Sequence, residues 1–339
     1  MEWTGIKRMA KGAAKKAARP LEHVFWRAQI GVLRACPPLC GVAARVSLGA
    51  PNSKAVWVKT LVQVAAQTPR ALARHWRDRR EGRAVLPRVT VFVTLRCTLN
   101  CDKCAAHVPN RRERRDCRDI PADKLIADIR ALLERVDQIY VIYLTGGEPF
   151  LHPDLGEIIQ ACAASGKVNG INIATNGTVV PGEKTLAALR DPKVSVKISN
   201  YGAALQPGVE RLKKALRANG TEFSHESGTA WSDMGGDGRL MGGSARRRFS
   251  VCSEQLCTPL YRGRLHVCGE SALWAEEGLI PEGGDFIDVR AADPAQFREE
   301  LRALRKKRVL SACAYCLGNT YRTPRVPVAQ QREVHNTDA

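Results

Sequence analysis

The amino-acid sequence predicts an α/β protein whose central sheet is mainly parallel. The chain has 339 residues, enough for a large core, and strand-like and helix-like segments alternate from residue 88 to residue 227. Repeated strand–helix units make neighbouring strands parallel through right-handed crossovers, as in an α/β barrel or an open sheet. The composition, 44% apolar and 26% charged, excludes wholesale disorder and fibrous classes.

Each predicted element follows the previous one after a short connection. Runs of β-branched and apolar residues predict strands, and apolar residues at helical spacing predict the helices between them. In chain order, strands are predicted at 89–94, 138–144, 170–174, 194–199 and 222–225, and helices at 54–67, 70–83, 122–136, 158–164, 183–189, 210–219 and 294–305.

The remaining segments are distinguished by charge and composition. Residues 1–90 carry 18 Lys and Arg against 4 Asp and Glu, so they hold most of the net charge of +19. We predict a basic helical extension at 1–87, a barrel at 88–245, a small cysteine-rich domain at 246–321 and a polar tail at 322–339. The basic charge of the extension is typical of a solvent-exposed helical face, or of a segment that binds a partner protein or the surface of an anionic membrane.

Neither a membrane-spanning helix nor a secretory signal is expected. The most apolar stretches are interrupted by polar residues before they reach the length that crosses a bilayer, and no compact apolar core follows the basic N-terminus. The expected compartment is the cytoplasm, with peripheral membrane contact through residues 1–87 as an addition. There, the twelve cysteines indicate metal binding or redox chemistry rather than disulfides.

The first chemical motif follows the first strand of the predicted barrel. Cys97, Cys101 and Cys104 form a C-x3-C-x2-C array. Three thiolates on one loop can bind one face of an iron–sulfur cluster and leave one iron open, whereas a structural zinc site needs a fourth ligand. His107 is near enough to be that ligand, although a lone histidine is more often a surface residue.

Glycine-rich and polar motifs follow the next three strands. Because the carboxyl ends of parallel strands open on one rim, we expect these motifs to meet the cysteine loop there. Glycines let the backbone approach a ligand closely, and the polar side chains orient it. The motifs are Thr145-Gly146-Gly147-Glu148-Pro149, Thr175-Asn176-Gly177 and Ser199-Asn200-Tyr201-Gly202.

With these motifs, residues 88–227 resemble the radical S-adenosylmethionine (SAM) superfamily. The resemblance implies a partial (β/α)6 barrel, a [4Fe–4S] cluster on the three cysteines, and SAM bound to the open iron. Lys103 departs from the family pattern, which more often has an aromatic residue before the third cysteine. The residues implied to contact SAM are Gly146, Gly147 and Glu148 at its amino end, and Ser199 and Asn176 near its ribose and methionyl parts.

The resemblance also implies a reaction class. In this family one electron from the reduced cluster cleaves SAM into methionine and a 5′-deoxyadenosyl radical, which abstracts hydrogen from an unactivated carbon. The implied partners are a small-molecule or saccharide substrate and a reductase such as flavodoxin or ferredoxin, and no nucleic acid is expected.

A second cysteine pattern lies in the C-terminal third. Cys252, Gly263 and Cys268 form C-x10-G-x4-C, and Cys313 and Cys316 form C-x2-C. Four thiolates can ligate a second [4Fe–4S] cluster, and a four-cysteine zinc site is the competing interpretation. The pattern is similar to the opening of SPASM/twitch domains, and this resemblance implies the short twitch form with one auxiliary [4Fe–4S] cluster.

Cys257 is left over between two predicted ligands. It is an inert packed thiol, a ligand in place of Cys252, or a hydrogen donor to a substrate radical. The third interpretation resembles radical SAM epimerases, which invert a carbon centre, whereas dehydrogenases of similar build remove an electron through the auxiliary cluster. We favour epimerisation of a carbohydrate or related natural product, with Cys257 catalytic.

Candidate substrate residues lie at or beyond the ends of the later strands, namely Tyr201, His225, Trp231 and Asp233. Trp and Asp together suit a sugar-like face, although Trp231 could equally anchor the core. The basic run 246–248 is predicted to lie in a linker or active-site loop. An alternative from another class is a zinc-stabilised nucleic-acid-binding protein, based on the basic extension and the C-x2-C arrays.

Overall fold

The structure, a computed structural model, describes residues 27, 69, 72–113, 117–226, 230–235, 238–240, 243–320 and 322–332. Most of the predicted basic extension, including its first helix at 54–67, therefore lies outside the described residues. Residues 72–80 are helical, within the helix predicted at 70–83. None of the helices within these ranges has the length and apolar character needed to cross a membrane.

The described residues form twelve strands and, after the helical residues 72–80, eight further α-helices. The strands are β1 (Val85–Leu86), β2 (Val89–Thr94), β3 (Gln138–Ile139), β4 (Ile142–Gly146), β5 (Ile171–Thr175), β6 (Val194–Ser199), β7 (Glu222–Glu226), β8 (Ala230–Ser232), β9 (Pro259–Tyr261), β10 (Arg264–His266), β11 (Phe286–Asp288) and β12 (Arg325–Pro327). The helices are α1 (Val108–Glu113), α2 (Ala122–Arg135), α3 (Leu155–Ala163), α4 (Glu183–Ala188), α5 (Gln206–Asn219), α6 (Ala245–Phe249), α7 (Gly269–Glu276) and α8 (Pro294–Lys306).

One eight-stranded sheet in the order β11-β10-β9-β2-β4-β5-β6-β7 forms the centre of the fold. The strands from β9 to β7 pair in parallel, and β9, β10 and β11 pair antiparallel. The prediction of an α/β fold with a mainly parallel sheet is confirmed, and the arrangement is that of a partial barrel. Two small sheets, β1 with β3 and β8 with β12, complete it.

The main core lies between the sheet and its helices. The β-branched run of β2 buries all six of its residues, and α2 presents Leu125, Ile129, Leu132 and Leu133 from one side. Val89, Val91 and Val93 of β2 and these four residues of α2 share one cluster with apolar residues of α3, α5 and α8. Because side chains alternate along a strand, the residues between the core positions face the other side of the sheet.

That inner face is lined mainly by polar residues. One row of neighbouring residues runs across the strands from β2 to β6 and consists of Thr90, Tyr143, Asn172 and Ser195. Further along the strands, Lys197 is next to Ala174. The inside of the partial barrel can therefore accept a hydroxylated or charged molecule better than an apolar one.

The cysteine-rich residues 246–321 contribute three strands to the central sheet, next to the strands of the barrel. Their strand β9 pairs with β2, with Thr90 opposite Pro259 and Val91 opposite Leu260. Pairing with β9 satisfies backbone groups that an edge strand would leave open, which explains why these residues join the barrel. The predicted strand at 138–144 is also divided, since β3 pairs with β1 and β4 with β2.

The predicted polar tail is not free over its described part. Residues 325–327 form β12, which pairs with β8, and residues 330–332 cross the first cysteine loop. The basic run 246–248 is likewise not an open loop, because it lies in α6. Arg248 donates from Nε to the carbonyl of Cys316 at 3.1 Å and from a terminal nitrogen to that of Cys313 at 2.9 Å.

Candidate active site

The first cysteine set (Cys97, Cys101 and Cys104) lies on the loop that leaves the carboxyl end of β2. The loop curls tightly, since Lys103 and His107 have φ values of 53° and 55°. Non-glycine residues rarely adopt this left-handed region, and such strain is common at functional sites. The loop thus folds back on itself around Cys104.

Each sulfur of this set receives hydrogen bonds. Cys97 Sγ accepts from the backbone N–H of Leu99 at 3.4 Å and from Asn176 Nδ2 at 3.6 Å. Cys101 Sγ accepts from Gln331 Nε2 at 3.1 Å. Backbone N–H groups of residues 106–108 donate to the Cys104 sulfur. Such donors stabilise negative charge on sulfur, as iron–sulfur clusters require.

The three thiols fit an iron–sulfur cluster in their electrostatics as well. Burial raises the pKa of Cys97 to about 11, and burial also raises the pKa of Cys104. Buried thiolates need a cation, and bound iron supplies that charge. Among the described residues, no three His, Cys, Asp or Glu side chains converge to hold one metal ion. In a cubane, by contrast, each thiolate binds its own iron corner.

Gly146 and Gly147 let the end of β4 lie against the cysteine loop. A Cβ at Gly146, where φ is 145°, would lie 2.1 Å from the carbonyl oxygen of Thr94. At Gly147 it would lie 2.0 Å from that of Arg96 and 3.1 Å from the Cβ of Cys97. In this structure, therefore, the glycines accommodate the backbone that carries the first cysteine.

Glu148 connects this turn to the end of β5. Its carboxylate is fully buried and accepts from the N–H of Phe150 at 3.1 Å, from Thr175 Oγ1 at 2.8 Å and from the N–H of Asn176 at 2.8 Å. Burial raises the pKa of Glu148 to about 7, although these three hydrogen bonds act in the opposite direction. Glu148 thereby orients Asn176, which in turn donates to Cys97.

Three of the four predicted substrate residues lie near the first cysteine set. The hydroxyl of Tyr201 hydrogen-bonds with Ser199, and its pKa is raised by burial and by the three cysteines. Tyr201 meets Trp231 edge-on with ring centres 5.4 Å apart. Asp233 pairs with Lys103 of the cysteine loop at 3.3 Å. Lys103 and Asp233 border a cavity of about 430 Å³ beside Cys104.

The fourth, His225, does not face the inner side of the barrel. It pairs with Ile198, whose side chain lies in the core between sheet and helices. Its nearest charged groups, Lys213 and Glu210, belong to α5, and burial lowers the pKa of His225. Because side chains alternate between the two faces of a strand, His225 lies on the helix side of β7, and its contact with substrate stays a prediction.

The second cysteine set (Cys252, Cys268, Cys313 and Cys316) comes together from three chain segments. The negative charge of Cys252 raises the pKa of Cys268 and of Cys316, and that of Cys313 raises the pKa of Cys316, so these thiols lie near one another. Cys252 Sγ accepts from the N–H of Asn319 at 3.3 Å, and Cys316 Sγ accepts from that of Gly318 at 3.1 Å. These amides suit sulfur ligands.

Cys257 occupies a different place from this set. Its thiol donates to Glu254 Oε2 at 3.2 Å, and its carbonyl accepts from Thr90 Oγ1 at 2.9 Å. Thr90 lies near the beginning of β2, at the opposite end of that strand from the first cysteine set. Burial, and next the charge of Glu254, raise the pKa of Cys257 well above its usual value.

Of the remaining cysteines, Cys162 is buried in the core, where burial raises its pKa to about 12, and Cys117 donates to the carbonyl of Val108 at 3.8 Å. Cys36 and Cys40 lie outside the described residues.

A histidine and a tryptophan that sequence reasoning did not assign connect the two cysteine sets. Trp274 Nε1 donates to His107 Nε2 at 2.5 Å, and His107 Nδ1 lies 3.2 Å from Glu277 Oε2. Since an indole nitrogen can only donate, His107 Nε2 accepts and its Nδ1 donates to Glu277. Both ring nitrogens are occupied, so His107 is not a free surface residue. Trp274 packs with Cys316 in one apolar cluster.

The fold and this loop define an α/β protein with soft metal ligands at the rim of a partial barrel. Residues 91–235 match the family model of the Radical SAM superfamily. The match includes the C-x3-C-x2-C array and the Gly-Gly-Glu-Pro motif. The chain therefore carries a radical SAM domain, the domain of enzymes that use a [4Fe–4S] cluster and SAM.

Among curated proteins, the GTP 3′,8-cyclase of Chlorobaculum tepidum is 32% identical over 93 residues, 27% of this chain and 26% of the cyclase. The chain thus matches about a quarter of that relative's length. Solved structures share less sequence. BtrN with AdoMet and 2-DOIA is 18% identical, with a TM-score of 0.42 over 68% of this chain and 92% of BtrN. Streptococcus suis SuiB bound to S-adenosylmethionine is 14% identical, with a TM-score of 0.33 over 48% and 37%.

Proposed function

We propose that this protein is a radical SAM epimerase acting on a carbohydrate or related natural product. In the proposal, the first cysteine set holds a [4Fe–4S] cluster. SAM lies against five residues near the rim, Gly146, Gly147, Glu148, Asn176 and Ser199. Bound there, the cluster and SAM supply a 5′-deoxyadenosyl radical that removes a hydrogen atom from a substrate carbon.

The observation that carries the proposal is the location of Cys257 at the far end of β2 from the first cysteine set. Inversion of a carbon requires that hydrogen leaves one face and returns to the other. A substrate between the rim and Thr90 would have the radical on one side and, on the other, the segment that carries Cys257, whose backbone carbonyl accepts from Thr90. The polar inner face, with Asn172, Ser195 and Lys197, supports a hydroxylated substrate.

The environment of Cys257 also suits a hydrogen donor. Because burial and Glu254 raise its pKa, the thiol keeps its hydrogen near neutral pH. Transfer of that hydrogen atom breaks the S–H bond, forms the product C–H bond and leaves a sulfur radical on Cys257. One electron from a reductase such as flavodoxin or ferredoxin, with one proton, restores the thiol.

The second cysteine set is proposed to hold the auxiliary [4Fe–4S] cluster of a twitch-like domain. Its members lie near one another and receive backbone amides, and Arg248 holds the carbonyls of the C-x2-C corner. The charge of Cys252 raises the pKa of both Cys268 and Cys316, which favours Cys252 as the fourth ligand. Anaerobic reconstitution should give about eight irons per chain. Zinc in place of iron would support the nucleic-acid-binding alternative.

A second candidate reaction is dehydrogenation of a carbinol carbon. The contact from Cys316 through Trp274 to His107 favours it, because a dehydrogenase must remove one electron from the substrate radical towards the auxiliary site. Solvent deuterium distinguishes the reactions, since only the epimerase returns a thiol hydrogen that exchanges with water.

The test uses the Cys257→Ala variant and a panel of sugars and aminocyclitols in deuterated water. We expect this variant to form 5′-deoxyadenosine from SAM but to give no inverted, deuterium-labelled product. The matched control is Cys162→Ala, which removes a thiol buried in the core between the sheet and its helices and should give the same product as wild type. Full epimerisation by Cys257→Ala would disprove the assigned hydrogen donor.

A further inference from the structure

The last described residues form a strap across the first cysteine loop. Gln331 is paired antiparallel with Cys101 as an isolated bridge. On either side of this bridge, the N–H of Asp102 donates to the carbonyl of Gln330 at 2.6 Å, and that of Arg332 donates to the carbonyl of Asn100 at 2.8 Å. Residues 330–332, the C-terminal strap, therefore act as a short added strand along the loop.

Side chains reinforce this backbone pairing. Arg332 Nε lies 3.1 Å from Asp102 Oδ1, and another of its nitrogens donates to Asn110 Oδ1 at 2.9 Å. Gln331 uses both ends of its amide on the loop. Its Oε1 accepts from the N–H of Asn100 at 2.7 Å, and its Nε2 donates to Cys101 Sγ at 3.1 Å. The loop and the strap thus fix the direction of the Gln331 N–H towards the sulfur.

We propose that Gln331 is a positioning residue that tunes the reduction potential of the cluster held by the first cysteine set. Reduction adds negative charge that spreads onto the ligand sulfurs. A hydrogen bond to a ligand sulfur stabilises that charge and favours the reduced state. The inference rests on the proposed function only in taking Cys101 as a ligand, and is independent of substrate, Cys257 and the second set.

The other donors to this set differ in kind. Leu99 and residues 106–108 donate through their backbone, which a substitution cannot remove, and Asn176 is also tied to Glu148. Gln331 is exposed, and its amide can be changed without opening the core. It is therefore the place where one donor to the set can be deleted alone.

The experiment measures the reduction potential of the reconstituted full-length protein by EPR-monitored redox titration. Gln331→Leu removes the amide donor, and Gln331→Glu keeps its shape but puts a carboxylate beside the sulfur. We expect a more negative potential in Gln331→Leu, a larger shift in Gln331→Glu, altered g values in both, and unchanged iron content. The matched control, Gln330→Leu, makes the same change at an exposed neighbour whose backbone alone contacts the loop.

The outcomes separate this inference from the proposed function. Wild-type iron binding and SAM cleavage with equal potentials in Gln331→Leu, Gln331→Glu and Gln330→Leu would overturn the role of Gln331 and leave the proposed function standing. If the wild-type chain bound no iron through Cys101, both the role of Gln331 and the proposed function would be refuted. Loss of iron from Gln331→Leu but not from Gln331→Glu would indicate a purely structural strap and also contradict the inference.

Discussion

The two cysteine sets are assembled in opposite ways. The first occupies residues 97–104 on one loop, and distant residues such as Asn176 and Gln331 complete its hydrogen bonds. The second is drawn from residues 252, 268 and 313–316, yet its sulfurs accept from amides next to one another in sequence, Gly318 and Asn319. The first set, although contiguous in sequence, therefore needs donors from distant segments. The second set, although dispersed in sequence, receives its donors from two adjacent residues.

A buried carboxyl group accompanies each set. Glu148 near the first is held by three hydrogen bonds and has a pKa of about 7. Burial, and next the charge of Glu254, raise the pKa of Glu270 to about 8, and Glu270 acts on the pKa of all four cysteines of the second set. Both carboxyls thus hold their protons more tightly than exposed ones do.

The largest effect is expected from removing one ligand of each set. Cys104→Ala should reduce SAM cleavage to the level without protein and leave about four irons per chain, since only the second set remains complete. Cys313→Ala should retain a similar amount of iron but continue to cleave SAM. Iron analysis and chromatography of 5′-deoxyadenosine measure both. Equal cleavage by the two variants would show that the sets do not have the separate roles proposed here.

A smaller effect should follow from a methyl group at Gly147. The added Cβ would overlap the carbonyl oxygen of Arg96, which is backbone and cannot rotate away. Gly147→Ala should lower the free energy of unfolding by about 4 kcal/mol and weaken iron binding at the first set but not at the second. Denaturant unfolding and iron analysis test this. The control is Gly166→Ala, where the added methyl meets no atom within 4 Å; comparable destabilisation there would contradict the explanation.

The smallest expected effect concerns pH, in the iron-free chain. A carboxyl whose pKa is raised on folding binds its proton more tightly in the folded state, so it stabilises the fold at low pH and loses that contribution as pH rises. For Glu148 the loss runs from about 4.5 to about 7 and is on the order of 2–3 kcal/mol. Glu148→Gln should weaken the pH dependence of the free energy of unfolding over this interval. Glu270→Gln should weaken it over an interval that extends to about pH 8. A pH profile identical to wild type in Glu148→Gln would refute the shift.

Much of the barrel and the first set could be predicted from sequence, because long strands and close cysteine spacing are local signals. The strand predicted at 194–199 is the observed β6, and the Gly-Gly-Glu-Pro motif adjoins the cysteine loop. The strands β9 to β11 have three residues each, too few to show a periodicity. Their place beside β2 depends on the free edge of that strand, which is a property of the assembled sheet.

Individual side chains were missed for a related reason. His107 was expected at the surface, and its partners Trp274 and Glu277 lie far away in the sequence. Gln331 stood in a segment whose polar composition predicts a tail, and only the tertiary structure brings it to Cys101. The predicted strand that carries His225 is observed as β7, but its sequence did not indicate that this side chain lies on the helix side of the sheet.

The links from the first cysteine loop to His107, Trp274 and the C-terminal strap have a consequence for synthesis on the ribosome. The loop is contiguous in sequence, but Trp274 and Gln331 are made 170 and 230 residues after Cys104 and Cys101, respectively. The nascent chain can therefore complete these contacts only after residue 331 has left the exit tunnel. Before that point, the loop lacks the hydrogen bond from Gln331 to Cys101.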